Sequence, residues 1–97
     1  MDIENDIKNK EISVLVRDRS GIIYEGRAES ISSVNEYGEF DVLALHANFI
    51  SLIRKELVLR DSKGIIKRLP ITSGLARVAD NRVEVYLGVV RSERSRI

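Results

Sequence analysis

The chain has no cysteine among its 97 residues. Disulfides, thiolate nucleophiles and cysteine-ligated metals are therefore excluded, and nothing points to an oxidising compartment. The single histidine, His46, cannot build a structural zinc site without cysteines or nearby carboxylates. No serine is placed so that the sequence alone pairs it with this imidazole as nucleophile and base. The simpler reading of His46 is a polar side chain hydrogen-bonded in a loop. Glycine-rich phosphate loops are missing too: neither G-x-G-x-x-G nor G-K-[ST] occurs. No cofactor and no catalytic group are expected.

Long apolar runs are also absent. None approaches the roughly 18 residues of a membrane span. The acidic start, Met1-Asp2-Ile3-Glu4-Asn5-Asp6, lacks the basic flank and apolar core of a signal peptide. These absences predict a soluble protein, cytoplasmic or associated with a membrane without entering it. Formal net charge is only +1, so no global field draws the chain to nucleic acid. Lys8, Lys10, Lys63, Lys67 and Arg68 are candidates for a basic patch. The aromatics Tyr24, Tyr37, Phe40, Phe49 and Tyr86 are scattered and form no stacking platform. A solvated charged face is the expected reading, with no nucleic-acid partner.

What is present is a balanced composition of 43% hydrophobic and 32% charged residues, ordinary for one globular domain. The dominant period is two. Ile12, Val14 and Val16 alternate with Ser13, Leu15 and Arg17, and Asp18-Arg19-Ser20-Gly21 follows as a turn. Residues 22–34 have strand composition and read as one long strand bent near Gly26. Residues 35–38 read as a loop, and Phe40 and Val42 restart the alternation. Residues 47–54 fit a buried strand or a short helical turn. Asp61-Ser62-Lys63-Gly64 is a hairpin signal. Pro70 cannot donate to a ladder and marks its strand as an edge or near its end. Thr72-Ser73-Gly74 punctuates the chain before a last hairpin turning at Asp80-Asn81.

Turn signals recur about every ten residues through the second half, the spacing of an all-β sandwich or barrel. No helix of about ten residues or more is expected. The predicted fold is a small antiparallel β-sandwich of two packed sheets. Its core candidates are Ile12, Val14, Ile31, Val42, Leu59, Leu69, Val83 and Val85. The domain is assigned to residues 11–90, between a flexible segment 1–10 and a charged tail 91–97.

One stretch carries more than fold. Gly38, Glu39, Phe40, Val42, Leu43, His46 and Ala47 fall on a Gly-Glu-aromatic-x-apolar-apolar-x-x-His-Ala pattern. It resembles the signature of the epsilon subunit of F-type ATP synthases. Asp41 and Leu45 stand where that family has glycine, and Ala44 and Asn48 where it has proline. Residues 21–26, 73–78 and 81–85 resemble further family segments in the same order. The resemblance covers residues 11–89.

The resemblance implies the N-terminal β-sandwich of an epsilon subunit, with the family's C-terminal helical hairpin absent. It implies a place at the foot of the central stalk, between the gamma subunit and the c-subunit ring. The implied role is non-catalytic: coupling ring rotation to gamma while protons or sodium ions drive ATP synthesis. The implied location is peripheral, on the cytoplasmic face of a bacterial plasma membrane. Asn35, Glu36, Tyr37, Gly38, Glu39 and His46 are the implied c-ring contacts. The alternative reading is a stand-alone epsilon-like adaptor or self-association module.

Overall fold

The computed structural model describes residues 11–45 and 47–88. The segment 1–10 and the tail 91–97 lie outside the described residues. The strands are β1 (Ile12–Asp18), β2 (Gly21–Ala28), β3 (Ser30–Asn35), β4 (Gly38–Leu43), β5 (Phe49–Asp61), β6 (Gly64–Ala79) and β7 (Arg82–Leu87). No helix occurs among the described residues. The all-β expectation holds.

The seven strands form one continuous sheet in the order β2-β1-β7-β6-β5-β3-β4. All pairs are antiparallel except β1–β7, which runs parallel with Val14 opposite Val83 and Val16 opposite Val85. The expected pair of purely antiparallel sheets is refined accordingly. Alternation shows which face a residue takes and is blind to the direction of the neighbouring strand.

The two long strands explain how one sheet encloses a core. Phe49 to Ile53 of β5 pair with Gly74 to Val78 of β6, and Lys55 to Asp61 pair with Gly64 to Ile71. β7 takes only the Gly74–Ala79 half of β6, while β3 borders the other half of β5. Each half therefore recruits different neighbours, and the two ends of the sheet close over a shared interior. The corner is marked by register shifts and by Lys55 at a φ of 73°.

Ile12, Val14, Ile31, Val42, Leu59, Val83 and Val85 are buried as the alternation predicts, and Leu69 packs against them half-buried. Val16, Ala28, Ile53, Leu57, Ala76 and Val78 complete the cluster. A fully buried Val, Leu or Ile contributes about 1.5–3 kcal/mol by transfer, so this cluster is the main stabilising term.

Two segments differ from the sequence reading. Residues 22–34 are not one strand: β2 ends at Ala28, and the break falls at Glu29 rather than Gly26. Glu29 N–H donates to Arg60 O at 2.8 Å, so the chain leaves β1 and crosses to β5. Gly26 stays in β2, under Tyr24: a Cβ there would lie 3.0 Å from the Tyr24 hydroxyl. Residues 72–74 do not end a strand either, because β6 runs through them. Between Ile53↔Gly74 and Lys55↔Ile71, β6 has one more residue than β5, which is a bulge. Pro70 lies in the half of β6 that β7 does not cover, a locally free edge where no donor is needed.

Candidate interaction site at the β3–β4 hairpin

Asn35 and Gly38 face each other across a two-residue turn, Glu36-Tyr37. Five of the six expected contact residues are thus one hairpin tip. Gly38 adopts a φ of 117°, a conformation that a side chain would strain. Asn35 shapes the turn by accepting the Tyr37 N–H on Oδ1 at 2.9 Å. Its Nδ2 donates to Ser51 Oγ at 3.1 Å, tying the tip to β5. Glu36 and Glu39 are exposed, and Tyr37 is 88% exposed.

Beside the tip lies an open groove of about 550 Å³. Asn35, Glu36 and Tyr37 form one wall. Ile50, Leu52 and Arg54 of β5 line it too, with Thr72 and Ser73 from the β6 bulge. Ile50 is 65% and Leu52 69% exposed, so three large apolar or aromatic side chains meet solvent together. These β5 and β6 residues were missed in the sequence reading. Their signal was present: Phe49, Ser51 and Ile53 occupy one phase of β5, which leaves Ile50 and Leu52 on the exposed phase.

His46 lies outside the described residues. Its described neighbours sit past the end of β4, away from the tip. Leu45 N–H donates to Asn81 Oδ1 at 2.7 Å, and Asp80 N–H donates to Asn48 Oδ1 at 3.0 Å. The segment flanking His46 is therefore fastened to the β6–β7 turn. β4 spans six residues from Gly38 to Leu43. At about 3.3 Å per residue this puts the flanking segment more than ~15 Å from the tip.

Among the described residues, no group of three His, Asp or Glu side chains is arranged to hold a metal ion. No helix among them is long and apolar enough to cross a membrane. What the site offers is an exposed aromatic, two carboxylates and an apolar wall.

The profile of the ATP synthase Delta/Epsilon chain β-sandwich domain matches residues 11–90. The chain belongs to this family. It is 32% identical over 75 residues to the ATP synthase epsilon chain of Helicobacter pylori strain P12, covering 77% of this chain and 59% of that protein. The epsilon chain of H. pylori strain 26695 is 31% identical over the same shares. The chain thus spans well under two thirds of the length of these epsilon relatives.

A similar fold is found among solved structures. A chain in the Euglena gracilis mitochondrial ATP synthase, solved as OSCP, F1 and c-ring, superposes with a TM-score of 0.70 at 22% identity. The match covers 80% of this chain and 51% of that one. A chain from the central stalk and c-ring of the Tetrahymena thermophila mitochondrial enzyme gives 0.63 at 14% identity, covering 87% and 72%.

Proposed function

We propose that this chain is a non-catalytic central-stalk subunit of a rotary ATP synthase, bound between a gamma subunit and a c-subunit ring. In this role it passes ring rotation to gamma without taking part in the chemistry. It is peripheral to the membrane, attached through the complex. The observation that carries the reading is the β3–β4 tip, where Tyr37 projects beside the apolar wall of Ile50 and Leu52. Exposed aromatic and aliphatic groups clustered next to carboxylates suit a protein interface with a polar rim. The epsilon-chain relatives and the stalk and c-ring assemblies that contain similar folds support the choice of partner. A close-packed β-sandwich fits the mechanical task, since dense interiors transmit strain.

Tyr37 supplies most of the contact affinity in this reading. Aromatic anchors dominate interfaces, whereas an exposed carboxylate pair contributes about 0.2–1 kcal/mol and mainly fixes register. The test is co-purification of gamma and c subunits from native membranes by the wild-type chain and by a Tyr37→Ala/Glu39→Ala double variant. The wild type is expected to retain both partners. The double variant is expected to lose the ring by about tenfold, equivalent to ~1.4 kcal/mol, with its melting curve nearly unchanged. Full ring retention by a folded double variant removes this tip as the contact and favours an adaptor role.

A further inference from the structure

The backbone ladder between β3 and β5 breaks just before the tip. Ser32 pairs with Val58 and Val34 with Arg54, so two steps along β3 answer four along β5. β4 is an edge strand, paired only with β3. Past the break, side chains add to the hold of the hairpin on the sheet. Ser33 Oγ donates to Glu56 O at 2.7 Å, and Asn35 reaches Ser51.

A third connection runs across the outer face, midway along the hairpin. Arg60 Nη1 donates to Ser32 Oγ at 2.8 Å, and the Ser32 hydroxyl donates to Asp41 Oδ1 at 2.5 Å. One hydroxyl thus links a guanidinium on β5 to a carboxylate on β4. Hydrogen bonds with a charged partner at each end are short and reinforce one another.

We propose that Asp41, acting through Ser32 and Arg60, is a positioning residue that sets the tilt of the β3–β4 hairpin and hence the direction in which its tip is presented. The inference rests on the reading of that tip as the ring contact. Asp41 stands three residues from Gly38, about 10 Å along the strand. Slack at Asp41 is therefore magnified at Tyr37.

The test uses the full chain with Ser32→Ala, Ser32→Thr, Asp41→Asn and Asp41→Gly. Amide hydrogen exchange is read over residues 34–40, with the β6–β7 hairpin as internal reference, and ring co-purification is measured alongside. Ser32→Ala and Asp41→Gly are expected to speed exchange in residues 34–40 about tenfold and to weaken ring retention several-fold. Ser32→Thr keeps the hydroxyl and is expected to restore both. Asp41→Asn keeps the side-chain size but loses the charge, and is expected to fall between. Unchanged exchange in Ser32→Ala, or a Thr variant as loose as Ala, overturns the lock. Faster exchange with full ring retention, when Tyr37→Ala/Glu39→Ala does lose the ring, overturns the positioning role and leaves the contact standing. If none of these variants loses the ring, the contact reading fails and the positioning role falls with it.

Discussion

Asn81 Oδ1 accepts the Leu45 N–H at 2.7 Å, and Leu45 sits at a φ of 62°. A leucine in the left-handed region is strained by about 1–2 kcal/mol, and this one is 69% exposed, so packing does not explain it. Asn81 over-determines the conformation. Its Nδ2 also donates to Glu11 O at 2.8 Å, and its carbonyl accepts the Ser13 N–H at 3.2 Å. Leu45→Gly is expected to raise stability by about 0.5–1 kcal/mol, the strain less the entropy of the added glycine. Asn81→Ala is expected to lower it by about 1–3 kcal/mol, because paired backbone groups lose their partner. Thermal denaturation of both variants checks the pair, and a destabilised Leu45→Gly contradicts the strain account.

Gly74 is needed for close approach rather than for an unusual backbone. A Cβ there would lie 3.0 Å from Leu87 Cδ2 and 3.1 Å from the Tyr86 carbonyl oxygen. A side-chain methyl can move, but a ladder carbonyl cannot. Gly74→Ala is therefore expected to cost about 1–3 kcal/mol by overpacking. The atoms nearest a Cβ at Gly26 belong to the Tyr24 side chain, so the smaller loss in Gly26→Ala is expected to vanish when Tyr24 is also changed to Ala. Urea midpoints of these variants measure the difference.

Ser33 is the buried polar side chain of the described interior, 4% exposed, and its hydroxyl bonds Glu56 O in the bulged part of β5. Ser33→Ala strands that carbonyl and is expected to destabilise by about 1–3 kcal/mol. Ser33→Val, which fills the space but offers no donor, is expected to fare no better. A stability equal to wild type in both would show that the bulge needs no internal donor.

Leu59 and Leu52 lie on the same strand with opposite fates, one fully buried and the other 69% exposed. Leu59→Ala is expected to cost about 2–5 kcal/mol, a large part of the ~5–15 kcal/mol that holds a domain of this kind together. Leu52→Ala is expected to stay within about 0.5 kcal/mol of wild type while weakening ring retention. Paired denaturation and co-purification measurements separate the two roles.

The sequence alone determined the strand character, seven of the buried core residues and the turns at Ser62-Lys63 and Asp80-Asn81. These follow from local chemistry. A period of two sorts side chains by face, and Asp80 and Asn81, at φ of 53° and 62°, tolerate the conformation that a tight hairpin demands. The turn at residues 35–38 was legible as a loop, with Gly38 and Glu39 at the start of the recognisable pattern. Only the tertiary structure decided that β1 lies parallel to β7, that the chain switches neighbours at Glu29, and that β6 bulges at residues 72–73 instead of ending. It alone brought Ile50, Leu52 and Thr72 beside Tyr37, and joined Asp41 to Arg60 through Ser32. Each of these depends on backbone pairing between residues distant along the chain. Strand direction and register there are set by the closure of the whole sheet around one core, and no local pattern of side chains encodes that closure.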